Sequence, residues 1–260
     1  MVNFTPPTLA SETIGMIGSM ELRNTLVMSW LAMAVLSIGA LLLAMTRYRQ
    51  IPGRFQALAE TIVEGLFDFL TSITQSPEKT RKAFPLVATI FLFIITGNWM
   101  GILPGVGSIT IQGMHAGHLM NIPVLRSMNA DVNMTLAIAI ISVILTQVIG
   151  LTTIGILPHI RKYAVAPWRK PYLIGTFVGV LEFVGEFGRL VSFTFRLFGN
   201  IFAGEVLLVL IAAFVPFLAP VPFLGLEIFV GFIQALVFSV LTLVFMNLAT
   251  VAHGEHEEHA

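Results

Sequence analysis

The 260-residue chain is 56% hydrophobic and only 11% charged, with 14 basic residues balanced by 14 acidic ones. Soluble domains carry about 25% charged residues. A single aqueous core therefore cannot hide this much apolar surface, and lipid must solvate most of it, in keeping with a mean hydropathy of +0.90. Zero net charge gives no global field toward nucleic acid, and the absence of cysteine excludes disulfides and thiolate metal sites.

In chain order, residues 1–24 lack a basic stretch leading directly into an apolar run, so they do not read as a cleaved signal peptide. They are expected to form an outer N-terminal segment. A bilayer crossing needs about 20 apolar residues, and the first such window is 25–46, closed by the basic Arg47 and Arg49. The segment 55–74 differs. Glu60, Glu64 and Asp68 recur every four residues, with Leu58, Ile62, Leu66, Phe69 and Leu70 on other faces, which predicts an amphipathic helix at the interface. Windows 84–103 and 132–157 predict two more crossings. They are separated by a polar loop holding His115, His118, Pro123 and Arg126, and the second is closed by Pro158. A basic loop follows, with Arg161, Lys162, Arg169 and Lys170.

From residue 173 the chain is apolar for about 45 residues, which as one helix would run some 65 Å against a hydrocarbon core of about 30 Å. No polar turn divides it before Pro216, Pro220 and Pro222. The expectation is one long, tilted helix paired with the last run, 223–251, giving a hairpin over 173–251 and a polar tail over 252–260. The whole reads as a single all-α integral membrane domain. It has about five membrane-embedded helices and one amphipathic interfacial helix.

Lysine and arginine placement sets the orientation. The connection from Arg47 to Lys82 holds six basic residues and the loop from Arg161 to Lys170 four, whereas Arg23 and Arg126 stand alone in the opposite segments. The N-terminus is then outside, both basic connections are cytoplasmic, the proline turn is outside, and the C-terminus returns to the cytoplasm.

Six charges fall inside the C-terminal hairpin: Glu182, Glu186, Arg189, Arg196, Glu205 and Glu227. Facing lipid, they would cost on the order of 15–20 kcal/mol at about 2.5–3.5 kcal/mol each. They must face protein or water, which marks them as functional candidates. At about 100° per residue, Glu182, Glu186, Arg189, Arg196 and Asn200 fall within roughly 80° of one another, with Ser192 at the edge. Glu205 lies well off that stripe, while Glu227 and Gln234 share a face of the last helix. Glu186 and Arg189, together with Glu182, suit either buried ion pairing between helices or a proton path. Arg196 has Ser192 and Asn200 at its helical neighbours, so its partner must come from another helix or subunit. Arginine does not release its proton in a protein, whereas glutamates can hand protons on. Acids at both ends with a fixed cation between them describe two half-paths kept from joining directly.

"RLFGNIFAGE", with Ser192 before it and Gln234 thirty-eight residues after Arg196, resembles subunit a of F-type ATP synthases, and the resemblance covers nearly the whole chain. It implies a non-catalytic stator subunit without cofactor or metal, in a bacterial inner (plasma) membrane. Its partners would be a c-ring of proteolipids, peripheral-stalk b-type subunits and, indirectly, the F1 sector. Arg196 would be the essential arginine facing the ring. Asn200, Glu205, Glu227 and Gln234 would line the outer half-channel, and Ser192 and Glu182 the cytoplasmic one. Two positions depart from some relatives. Glu227 stands in place of a histidine, beside Gly204 and Glu205, and Gly101 stands in place of an aspartate.

Other signals are weaker. His115 and His118 lack further metal ligands nearby, His253, His256 and His259 read as solvated tail residues, and Asn3 and Asn133 match a glycosylation pattern common by chance. No phosphate-cradling GxxxxGK[ST] loop occurs, so the chain itself should not hydrolyse ATP. A secondary transporter would show repeated halves, and a membrane enzyme would need a nucleophile or metal set near Arg196. The sequence has neither feature.

Overall fold

The computed structural model describes residues 11–45, 53–115, 118–156, 174–215 and 218–250. Arg47, Arg49, the basic loop from Arg161 to Lys170, Pro158, Pro216, Asn3 and the tail histidines lie outside these ranges, as do the side chains of His115 and His118. Among the described residues six helices carry the fold: α1 (Asn24–Met45), α2 (Arg54–Thr74), α3 (Pro77–Gly101), α4 (Val132–Ile154), α5 (Ile174–Phe214) and α6 (Pro220–Ala249). All except α2 are long and apolar enough to cross a membrane. Helix α5 runs for 41 residues without a break, about 61 Å at 1.5 Å per residue. That is twice the hydrocarbon thickness, so a helix of this length must tilt steeply or project beyond it. No turn divides α5, and with α6 it forms the expected C-terminal hairpin.

Local chemistry explains the helix limits. Helix α3 starts at Pro77, seven residues before the apolar window, because Ser76 caps it by accepting from the Lys79 amide and Pro77 occupies the first turn. Pro85 sits inside this helix, where its missing N–H removes one rung of the ladder. Helix α2 splits its apolar face. Leu66 and Leu70 are buried against α3, with Phe67 edge-on to Phe84 at 5.3 Å, while Leu58, Ile62 and Phe69 stay exposed. Glu64 and Asp68 are exposed on the far side.

Two antiparallel hairpins were not foreseen. Strands β1 (Thr13–Ile17) and β2 (Met20–Arg23) lead into α1. Strands β3 (Thr110–His115) and β4 (His118–Pro123) occupy the loop after α3 and are followed by a 3₁₀ turn at Met128–Ala130. Both are short and mix apolar with polar residues, and they lie where α1 begins and α3 ends. Their pairing satisfies backbone groups that a helix reading left unassigned.

Helix α6 is central, packing against α2, α3, α4 and α5. Val87 and Ile94 of α3, Ala139 of α4, Leu197 of α5 and Ala235, Phe238 and Leu243 of α6 are fully or almost fully buried there. Between lipid-solvated helices burial gains no hydrophobic free energy, so close packing and interhelical hydrogen bonds hold them. The Ser142–Thr242 hydroxyl pair, 2.9 Å apart and buried, joins α4 to α6 in this way.

The start of α4 depends on Asp131, which is 4% exposed. Its carboxylate accepts from the Asn133 amide at 2.9 Å and from the Thr25 hydroxyl of α1 at 2.9 Å. Burial pushes this carboxyl up, but hydrogen bonds from Ser11, Asn133 and Thr25 outweigh it and hold it below the ordinary 3.8. A depressed folded-state value means that the contribution is complete above pH 3.8 and is lost as pH falls through the folded value. Asp131→Ala is expected to cost roughly 2–4 kcal/mol, from the lost cap and a stranded Thr25 hydroxyl. The check is thermal unfolding of the purified assembly near neutral pH, where the deficit should be full.

A candidate ion path in the C-terminal hairpin

The arginine at the centre of α5 has an unusual environment. Arg196 Nη2 donates to Ser192 Oγ at 2.8 Å, one turn back on the same helix. Among the described residues no carboxylate comes within ion-pair distance of it. Glu182, half-exposed, lies on the same flank toward the start of the helix, about 21 Å away at 1.5 Å per residue. One turn beyond Arg196, Asn200 Nδ2 donates to Gln234 Oε1 of α6 at 2.6 Å. Gln234 is 4% exposed, and its Nε2 is buried without a hydrogen-bond partner. The inner edge of this flank packs through Phe193, Leu197 and Ile201, and the outer edge, with Phe195 and Val191, is exposed.

Glu186 and Arg189 form an ion pair at 2.9 Å, and the Arg189 guanidinium lies 3.6 Å from the centroid of the Phe245 ring of α6. Of the two uses open to these residues, the pairing is what the geometry contains. It ties α5 to α6 through a cation held by both an anion and an aromatic face.

Glu205 faces elsewhere. Nine residues after Arg196, it points about 180° away around the helix. Its carboxylate receives Arg126 Nε at 2.9 Å and 3.2 Å and Arg126 Nη2 at 3.1 Å, a forked, charge-assisted grip. Arg126 comes from the segment between β4 and the 3₁₀ turn and is 5% exposed. Both residues line a cavity of about 260 Å³ that also takes in Asn98, Gly101, Ser127 and Glu227. Glu227 is 9% exposed, and its carboxylate occupies the space where a Cβ on Gly204 would project. A side chain at 204 is thus incompatible with this position of Glu227, which is the physical reason that Glu227 is paired with a glycine at 204. Gly101 has a similar reason: a Cβ there would lie 2.6 Å from Ser127 Cβ, so an aspartate would displace Ser127.

Polar contacts run inward from the cavity. Asn129 Nδ2 donates to Asn98 Oδ1 at 2.7 Å, and Asn98 Nδ2 donates to the Gly231 carbonyl of α6 at 2.9 Å. Ser127 Oγ and Asn129 Oδ1 are buried without partners.

The hairpin thus sorts the predicted residues into two groups. Ser192, Arg196, Asn200 and Gln234 share one side of α5, and Glu205 and Glu227 share a cavity on the other. Arg126, Asn98 and Ser127 complete that cavity, with Asn129 bonded to Asn98, and none of the four was among the predicted site residues. The available signal was Arg126 itself, a lone cation in a loop otherwise free of lysine and arginine.

Gly204→Ala is expected to destabilise the α5–α6 crossing by about 1–3 kcal/mol, as overpacking does, and to push Glu227 out of place. Removing the obstructing carboxylate in Gly204→Ala/Glu227→Ala should recover most of that loss in a thermal-unfolding cycle.

Residues 26–247 match the family profile described as ATP synthase A chain. The chain is 32% identical over 229 residues to ATP synthase subunit a of Syntrophobacter fumaroxidans, covering 88% of this chain and 84% of that protein. It is 31% identical over 259 residues to ATP synthase subunit a of Gloeobacter violaceus, covering 96% and 95%. It is also 31% identical over 223 residues to ATP synthase subunit a of Campylobacter jejuni subsp. doylei, covering 86% and 88%. With a profile spanning most of its length and relatives matched almost end to end, the chain belongs to the ATP synthase subunit a family and is a membrane component of the proton-translocating Fo sector.

Proposed function

We propose that this chain is the stator of a rotary ATP synthase, coupling proton movement to rotation through two offset half-channels and the fixed charge of Arg196. The observation that carries the reading is the contrast among three arginines. Arg126 has Glu205 and Arg189 has Glu186, while Arg196 has, among the described residues, only a hydroxyl, and it lies beside an exposed apolar surface. A permanent cation at bilayer depth needs an anion. A ring of proteolipids passing that surface would bring one carboxylate after another to it.

In this reading Arg196 draws the arriving rotor carboxylate into its ionised form and repels protons that would otherwise pass straight through. Glu205 and Glu227 line the outer half-channel. The proton leaves that cavity along α6, where Gln234 lies seven residues from Glu227 on the same face. The buried, unpartnered Gln234 Nε2 is placed to hold a water or the rotor carboxylate, with Asn200 beside it. Ser192 and Glu182 serve the cytoplasmic half-channel. The N-terminus and the two hairpins face the outside of a bacterial inner membrane and the C-terminus faces the cytoplasm. The b-type stalk subunits bind the stator, and F1 is reached only through them and the ring.

Arg196→Ala should abolish coupled ATP synthesis in vesicles, and intact ATP-driven proton pumping in that variant would remove Arg196 from the gate. Arg196→Lys should fail as well, since lysine offers a point charge that can deprotonate in place of a planar fork. Near-normal coupling would contradict that account. Glu227→Gln should slow passive proton flux through F1-stripped membranes at least tenfold, and wild-type flux would place the outer path elsewhere.

A further inference from the structure

We infer that Arg126 is a positioning residue for proton uptake: it holds Glu205 as a permanent counter-ion, which leaves Glu227 as the carboxylate that takes up and releases the transported proton. The inference rests on the reading of this cavity as the outer half-channel, and it divides a task that the sequence left shared between two acids.

The geometry is specific. The guanidinium of Arg126 is 5% exposed and spends three donor contacts on one carboxylate. It is brought in by the outer loop, not by either helix of the hairpin. Arginine stays charged under all working conditions, so the acid it grips is matched in charge and occupied at both oxygens. Glu227 has no such partner. Among the described residues, the charged side chains lining the cavity are Arg126 from the loop, Glu205 from α5 and Glu227 from α6, and α3 contributes only the uncharged Asn98. The rest of the lining is apolar or uncharged. The cavity therefore carries a neutral pair and one exchangeable acid. A proton from outer water adds to a carboxylate oxygen of Glu227, giving a neutral acid. The same oxygen releases it toward Gln234 and Asn200, restoring the anion, while Arg126 and Glu205 begin and end the cycle unchanged.

This arrangement makes opposite demands on two substitutions. Arg126→Gln leaves Glu227 facing an uncompensated anion, and Glu205→Gln leaves it facing an uncompensated cation. Passive proton flux through F1-stripped membranes of the intact complex, recorded against outer pH, reads the difference. The half-maximal pH should rise by about one unit in Arg126→Gln and fall by about one unit in Glu205→Gln. It should return to the wild-type position in Arg126→Gln/Glu205→Gln, whose cavity is again neutral apart from Glu227. An ion pair that merely braces the fold would lower the amount of assembled complex in the single variants without moving the half-point. Unmoved half-points, shifts of the same sign, or a double variant that stays displaced overturn the inference. Should Arg126→Gln fail to assemble, Glu205→Gln and the double variant decide alone, displaced in the first and restored in the second. Loss of flux in Glu227→Gln with unmoved half-points in the others would sink only this inference. Wild-type flux in Glu227→Gln would remove the outer-channel reading and this inference with it.

Discussion

A charge in hydrocarbon must be answered by protein or by water, and the architecture follows from how each arginine is answered. Arg126 is enclosed and matched by Glu205. Arg189 is matched by Glu186 and capped by the Phe245 ring. Arg196 receives one hydroxyl oxygen from its own helix. The first two are satisfied within the chain. The third has that hydroxyl and the packing beside it, with Phe193 and Leu197 buried on the adjoining face of α5. Among the described residues no anion answers that charge, and on the proposed function the answer comes from outside the chain.

Close approach between helices makes the polar interior possible. Where α5 crosses α6, Gly204 leaves room for the Glu227 carboxylate, and where α3 crosses α6, Gly231 lets Asn98 come near enough to bond its carbonyl. A Cβ at Gly231 would sit 3.2 Å from Asn98 Cβ. Small residues in membrane helices commonly serve backbone packing. Here two of them give space to polar side chains, so the same crossings that hold the helices together also carry the hydrogen-bonded line from the cavity inward. Trp99 adds a second clasp, donating to the Ile228 carbonyl at 3.2 Å.

Much of this was legible in the residues, and the rest was hidden for identifiable reasons. Apolar length gave the crossings, and the missing turn signal gave the unbroken α5. The 3.6-residue period alone separates Glu205 from the Arg196 stripe. The early start of α3 was missed because a hydropathy window ignores a capped polar turn such as Ser76-Pro77-Glu78. The two hairpins were missed because their strands are only four to six residues long and sit in segments read as loops. Arg126 was missed for a deeper reason: its partner lies 79 positions away. No periodicity within one helix can report a pairing made by a loop folding onto a distant helix. The same limit hid the seat of Glu227, since Gly204 and Glu227 face each other only because α5 and α6 cross there.

The placement of the two groups also bears on why an outer proton would not cross directly. Arg196 and Glu205 are separated by about 13 Å along α5 and by half a turn around it, so the buried face of that helix stands between the cavity and the arginine. The route around α5 runs through α6. Glu227 and Gln234 share a face about 10 Å apart along the axis, and Gln234 meets Asn200 across the crossing at 2.6 Å. On the proposed function, the outer path therefore depends on α6 as a bridge as much as on α5 as the bearer of the gate. In that reading the hairpin geometry, and not the motif alone, brings a proton to the flank of α5 that carries Arg196.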